Sequence, residues 1–332
     1  MYSAIEWIVG MIRLLLKKYT NESLLLWSAC AAMLVVFGWV RVWIVCQFEL
    51  QRFEVFLEQL KPFEKFSPVP LSQLLTYAGS LAMTFDEPVL ILCVLVWSIA
   101  RGSDVVSGEI NRGTLELLLS LPIGRVRLMS LHAVVCVAGL LGLCGCVWLG
   151  LYLGIQTNSV KETITPKIEL SIPFMPIKIP LQVGKSETVL VPLRERIDAS
   201  LYLPAVLNLF GFGFVVLAFS VMCSAFDRFR WRTIGIVVST YVIQLLLFLL
   251  SKSSAATGFC AALTFFSCYQ PDAIVQLQRI ETGSGWTFLS SANVLPLGLG
   301  PLGVTCILLA LGSVFYAIAL VAFSRRDLPA PL

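Results

Sequence analysis

Charge is scarce in this sequence: of 332 residues only 13% are Asp, Glu, Lys or Arg, while 58% are hydrophobic. That balance excludes a disordered chain and a soluble enzyme built on one large core. A formal net charge of +4 provides no basic stripe able to follow a phosphate backbone, so nucleic acid is excluded as a partner. Histidine is nearly absent. The single one, His132, starts an apolar run, and one imidazole without nearby partners makes neither a metal site nor a catalytic triad. A phosphate-binding loop is also missing, because Gly184-Lys185-Ser186 has the right ending but Ile179 stands where the loop's first glycine belongs. The chain therefore has no visible nucleotide site of its own.

Cysteine is the exception to this poverty, with ten residues, yet Cys30, Cys93, Cys136, Cys144, Cys146, Cys223 and Cys306 lie inside long apolar runs, where a thiol packs as a small hydrophobe. Cys46, Cys260 and Cys268 lie nearer segment ends, and a disulfide among them depends on geometry that sequence does not give. Cys144 and Cys146 point about 200° apart on a helix and cannot chelate one ion.

The abundant material is apolar sequence in long runs. Crossing roughly 30 Å of hydrocarbon takes about 20 helical residues, because every backbone amide must be satisfied within the segment. Six stretches qualify: Leu24 to Val45, residues 80–100, Met129 to Ile155, Leu201 to Phe226, Ile234 to Leu250 and Leu299 to Phe323. The expected fold is an all-α polytopic membrane protein with six transmembrane helices. Residues 1–20 gather Ser3, Glu6, Gly10, Arg13 and Lys17 on one face and Trp7, Ile8, Met11, Ile12, Leu15 and Leu16 opposite, the pattern of an interfacial amphipathic helix or of an ordinary cytosolic one, and unlike a signal peptide. A second surface-lying helix is expected from Gln47 to Phe66, where Phe53, Phe56, Leu57, Leu60 and Phe63 share a face. Glycines at 139, 142, 145, 150 and 154 in the third run fit close helix packing.

Loop arginines set the orientation. With a cytosolic N-terminus, the inner segments hold Arg13, Lys17, Lys18, Arg101, Arg112, Arg125, Arg127, Arg228, Arg230, Arg232, Arg325 and Arg326, half of the 24 Lys and Arg. These segments are about half as long as the outer ones, so density favours that orientation. The shortest loop, Asp227 to Thr233, carries three arginines. Both termini are then cytosolic, residues 101–128 form a cytosolic segment, and residues 156–200 and 251–298 are extracytoplasmic loops. Between Ile168 and Pro192, alternation around Gly184-Lys185 suits a small extracytoplasmic β-hairpin or, given Pro173, Pro176 and Pro180, an extended linker.

Asp86 and Glu87 stand in the second run, ahead of Pro88. A carboxylate at the bilayer centre costs about 2.5–3.5 kcal/mol, so depth decides between an outer-boundary pair and a polar cavity on a translocation path. Arg41, near the outer end of the first run, is expected to extend its guanidinium to the headgroups.

The segment after the second run mixes charge, helix breakers and leucines. Asp104 to Asn111 suits a short helix that Gly113 breaks, and Thr114 is placed to cap a second one that Pro122 stops. Its leucines must be buried against the bundle's own inner ends or against a partner subunit.

The pattern Glu109-x-x-Arg112-Gly113-Thr114-Leu115-Glu116-Leu117-Leu118-Leu119-x-x-Pro122-x-x-Arg125, directly after the second span, resembles the permease subunits of ABC-2 type transporters. The likeness extends to the six-span layout, the N-terminal helix and the ending Phe323-Ser324-Arg325-Arg326-Asp327-Leu328-Pro329. It covers most of the chain in organisation and about thirty residues as motif, and among relatives it leans toward multi-copper-enzyme maturation and gliding-type permeases. This sequence departs from a metal-handling subgroup in having no His or Met cluster.

The resemblance implies that the segment docks into a separate ATP-binding subunit, with ATP and Mg held there and no cofactor bound by this chain. Glu109, Arg112, Gly113 and Thr114 match the docking turn, Leu118 the leucine run, and Pro122 with Arg125 the return into the third span. It also implies a second permease copy or homologue and a place in the plasma (inner) membrane, as an exporter rather than an enzyme. Two other classes remain: a non-transporting membrane scaffold coupled to an ATPase, and a secondary transporter. The second would need ionisable residues in mid-span positions, where only Asp86 and Glu87 are conspicuous.

Overall fold

A computed structural model describes residues 2–47, 76–164, 167–171, 178–182, 187–253, 255–281, 283–289 and 295–326. Ten α-helices run through them: α1 Tyr2–Gln47, α2 Tyr77–Ala82, α3 Pro88–Gly102, α4 Glu109–Asn111, α5 Leu115–Leu119, α6 Arg125–Thr157, α7 Leu203–Phe226, α8 Arg230–Ser253, α9 Pro271–Ile280 and α10 Pro301–Arg325. Among the described residues, six segments are long and apolar enough to cross a membrane. The protein is an all-α multi-pass membrane protein. The end of the bundle holding α4 and α5 is called here the arginine-rich end, and the opposite end the ribbon end. The second surface helix expected between Gln47 and Phe66 lies outside the described residues from position 48 on.

The N-terminal helix and the first span are one element. Nothing between Met11 and Phe37 is glycine or proline, and the polar stretch at Thr20 to Ser23 stays helical through its own side chains. Thr20 donates to the Leu16 carbonyl at 2.8 Å, Ser23 to that of Thr20 at 2.9 Å, and Lys18 pairs with Glu22 at 3.7 Å. At 1.5 Å per residue the 46-residue helix is about 70 Å long, more than twice the hydrocarbon thickness.

The second span, in contrast, is broken. Proline has no amide hydrogen, so Pro88 begins α3, and Glu87 before it is extended at ψ 134°. A short 3-10 turn, Met83–Asp86, joins α2 to this break. Two tyrosine hydroxyls bond carbonyls of the interrupted stretch, Tyr269 to Phe85 at 2.7 Å and Tyr202 to Ala78 at 3.2 Å, which keeps the irregular backbone satisfied away from water.

Glycine sets how closely α1 and α6 approach. A Cβ on Gly150 would fall 2.7 Å from the Val35 carbonyl oxygen, and one on Gly38 would fall 3.2 Å from Gly150 itself. Gly142 receives the Trp27 ring and Gly154 faces Val42, while the Trp27 indole donates to the Gly139 carbonyl at 2.9 Å. Gly145 alone of the five meets no neighbour.

α7 is the central helix, packed against α3, α6, α8, α9 and α10. Its Asn208 amide donates to Thr305 of α10 at 3.2 Å and to the Cys268 carbonyl at 3.0 Å. α8 lies at the periphery, with only Thr233 and Val237 buried.

The stretch after α8 is no simple outer loop. Phe265, Phe266 and Tyr269 fold back onto Phe212, with ring centroids 4.6 Å apart for Phe212 and Tyr269. Phe212 lies nine residues into α7, about 14 Å along the helix. An aromatic run of this kind is too apolar for water, and the Gln244 side chain accepts from the Phe265 amide at 3.3 Å to hold it there. α9 then covers the ribbon end of α7 with Ala273, Ile274, Val275 and Leu277.

A β-ribbon does form, with different limits from those expected. β1 (Ser159–Ile164) pairs with β4 (Glu187–Pro192), and inside them β2 (Lys167–Ser171) pairs with β3 (Lys178–Gln182), all antiparallel. The hairpin reversal falls between Ser171 and Lys178 rather than at Gly184-Lys185, which joins β3 to β4 and lies outside the described residues. Pro180 is tolerated because both strands of a two-stranded ribbon are edges. All ten cysteines are free.

Candidate functional site at the arginine-rich end

The second span does not stop at the membrane face. A π-turn, Asp104–Gly108, continues α3 into α4, with the Gly108 amide bonded to the Ser103 carbonyl at 3.2 Å. A π-turn loosens the regular amide ladder, and Ser224 of α7 repairs it: its hydroxyl accepts from the Val106 and Ser107 amides at 3.2 and 2.9 Å. Gly102 allows this approach, since a Cβ there would lie 2.6 Å from that of Ser220. Thr233 of α8 closes the network by donating to the Ser107 hydroxyl at 3.3 Å.

On this turn stand two carboxylates whose side chains are 6% and 3% exposed, Asp104 and Glu109. Asp104 meets Arg112 at 2.7 Å, Arg101 at 3.3 Å and Arg230 of α8 at 3.3 Å. Glu109 meets Lys18 of α1 at 2.9 Å and Arg112 at 3.0 Å, and accepts a short hydrogen bond from Thr114. Arg112 thus grips one carboxylate with each terminal nitrogen. The four cations come from α1, α3, the turn and α8, so the cluster ties three spans to one loop.

Burial alone would raise both carboxyls. Around Asp104 it is outweighed by the Arg112 hydrogen bond and the charges of Arg230, Arg112 and Arg101, which hold the group below the usual carboxylate range. Around Glu109 the hydrogen bonds of Thr114 and Lys18, with the Lys18 and Arg112 charges, do the same. Both carboxylates are ionised at neutral pH, and the cluster carries two anions against four cations.

Glu109, Arg112 and Thr114 therefore meet one another. Gly113 forms the tip with φ +71°, a left-handed conformation that favours glycine. Thr114 does not cap α5 as expected: its own φ and ψ are helical and its hydroxyl is spent on Glu109. Leu118 is buried against Met11, Leu15 and Tyr19 of α1, and Leu115 against Val105, Val106 and Met129, so these two leucines are covered by the bundle itself. Leu117 points outward at 69% exposure, on the same surface as Asn111, Arg112, Gly113, Glu116 and Ser120. Pro122 is exposed, and Arg125, at the start of α6, donates to the Arg326 carbonyl at 2.6 Å.

Asp86 and Glu87 lie at the ribbon end, far from this cluster. Glu87 pairs with Arg41 at 3.1 Å, so the Arg41 guanidinium has a carboxylate partner in its own chain. Asp86 is exposed. His132 is buried, edge-on to Tyr19 with centroids 5.1 Å apart, its Nδ1 3.4 Å from the Cys136 sulfur. Asp104, Lys18 and Arg230 were not singled out as site residues by sequence reasoning. The available signal was Ser220 and Ser224, small polar residues four apart in an otherwise apolar span, which mark a helix face that meets polar backbone.

No protein-family model matches the chain, and no curated protein is significantly similar to it.

Proposed function

We propose that this chain is the membrane-spanning permease subunit of an ABC-2 type transporter, an exporter driven by ATP hydrolysis on a separate subunit. The observation that carries the reading is the architecture of the turn after the second span. Its outer face offers Asn111, Arg112, Gly113, Glu116 and Leu117 to a partner, while its inner face is fixed by ion pairs to α1, α3 and α8. A surface that is free outside and bound inside to three spans is suited to passing a push from a docked subunit into the bundle. Arg112 is the joint, because it belongs to both faces.

In this reading ATP and Mg are held by the partner, and two permease chains pair with two ATPases. The arginine-rich end is cytoplasmic, with both termini there, in keeping with the density of Arg and Lys at that end. The membrane is the plasma (inner) membrane.

The reading is tested by purifying the tagged chain in mild detergent from its native host and assaying for a co-purifying ATPase. Leu117→Glu is the informative variant, since Leu117 supports nothing inside the bundle. An ATP-binding subunit that accompanies the wild type and is lost with Leu117→Glu is expected. Absence of such a subunit from the wild type, or its unchanged recovery with the variant, contradicts the proposal.

A further inference from the structure

The turn between α7 and α8 alternates rings and guanidiniums: Phe226-Asp227-Arg228-Phe229-Arg230-Trp231-Arg232. Arg230 faces inward to the Asp104 cluster. The rings and the other two arginines face out, with Phe226 62%, Phe229 48% and Trp231 74% exposed, and Arg228 and Arg232 exposed beside them. Two apolar spans end here and are joined by three residues, so these rings sit at the boundary between hydrocarbon and headgroups, the depth that tryptophan favours.

The corner has an excess of positive charge. Arg326, at the end of α10, donates to the carbonyls of Ala225 and Asp227 at 2.7 and 3.1 Å, which brings its guanidinium close to Arg228. Burial, followed by the Arg228 charge, pulls Arg326 below the usual arginine range. The single carboxylate of the turn, Asp227, already accepts from the Arg228 and Phe229 amides at 2.7 and 3.2 Å and lies 3.7 Å from Arg232. Arg228 is exposed and its charge acts on Arg326, so among the described residues the guanidiniums of this corner outnumber its one carboxylate.

We propose that this turn is a binding site for an anionic phospholipid, with the phosphate held by Arg228, Arg232 and Arg326 and the acyl chains against Phe226, Phe229 and Trp231. Guanidinium forks match phosphate oxygens, and the exposed rings match an acyl surface. A second copy of the chain fits less well, because a two-fold contact through this turn would set its arginines against themselves. Lipid binding here is independent of any ATPase.

The test is native mass spectrometry of the full chain in detergent, titrated with phosphatidylglycerol or with phosphatidylcholine. The wild type is expected to retain phosphatidylglycerol selectively, and millimolar inorganic phosphate is expected not to displace it. Arg228→Gln with Arg232→Gln is expected to weaken that retention about 30-fold, toward the phosphatidylcholine level. The paired Arg228→Lys and Arg232→Lys variant keeps the charge and is expected to keep most of the selectivity, which separates lipid recognition from misfolding. Equal retention of the two lipids by the wild type overturns the proposal, as does unchanged selectivity in the glutamine variant. Full displacement by inorganic phosphate overturns it in favour of a free-anion site. Loss of a protein subunit from the glutamine variant with its lipid selectivity intact overturns it in favour of protein docking.

Discussion

Glu109 is the residue on which most of the cluster depends. It is 3% exposed as a side chain and is shared by Lys18, Arg112 and Thr114. Glu109→Gln removes the charge that Lys18 and Arg112 share, and the expected loss is about 2 kcal/mol, because Arg112 keeps Asp104, Lys18 keeps Glu22 and both cations still reach solvent; thermal unfolding in detergent checks it. The carboxyls of Asp104 and Glu109 both titrate below their usual range. Their contribution is therefore full above about pH 4 and is lost as pH falls through the lowered values. Proteolytic protection of the turn is expected to stay constant from pH 8 to 5 and to fall only below about 4. A loss beginning near pH 6 would contradict this assignment. At the tip, Gly113→Val forces a branched side chain into the left-handed region at about 1–2 kcal/mol, whereas Gly113→Asn is tolerated. Comparing the unfolding midpoints of the two variants tests the φ of +71°.

At the scale of elements, α1 is a rod fastened to the second span at both ends. Lys18 meets Glu109 beyond the C-terminal end of α3, and Arg41 meets Glu87 just ahead of its start. The separation of 23 positions between the two cations spans about 35 Å of helix, close to a membrane's thickness. Between them the glycine seam holds α1 on α6. Gly150→Leu is expected to push the helices apart and cost about 3 kcal/mol, and a cysteine pair placed across the seam should then cross-link much less than in the parent. Unchanged cross-linking would show that the seam is not where α1 is held. The long helices were legible in the sequence, because a run of twenty apolar residues admits few alternatives. The unbroken course of α1 was obscured by Thr20-Asn21-Glu22-Ser23, which reads as a boundary by composition but is helical by its local bonds. The inward fold of Phe265, Phe266 and Tyr269 was hidden for a related reason: runs shorter than a span register as loop.

For the whole molecule, the arrangement turns on α7, which touches almost every other span and supplies the serine that satisfies the π-turn. Part of the site was readable because Glu109, Arg112, Gly113 and Thr114 lie within six residues of one another. The rest was not, since Lys18 is 91 residues from Glu109 in the chain and its amphipathic context gives no hint of a buried partner. Asp86 and Glu87 illustrate the opposite case, conspicuous in sequence but apart from the cluster, Glu87 paired with Arg41 and Asp86 exposed. The central claim is that the cluster transmits the action of an ATPase into the bundle. The most direct measurement is the ATP hydrolysis rate of the purified complex in lipid, compared between the wild type and Glu109→Gln with subunit content held equal. The account predicts that the proposed partner stays bound to Glu109→Gln while this chain loses its influence on the rate. A rate indistinguishable from wild type, with the turn demonstrably altered, would contradict it.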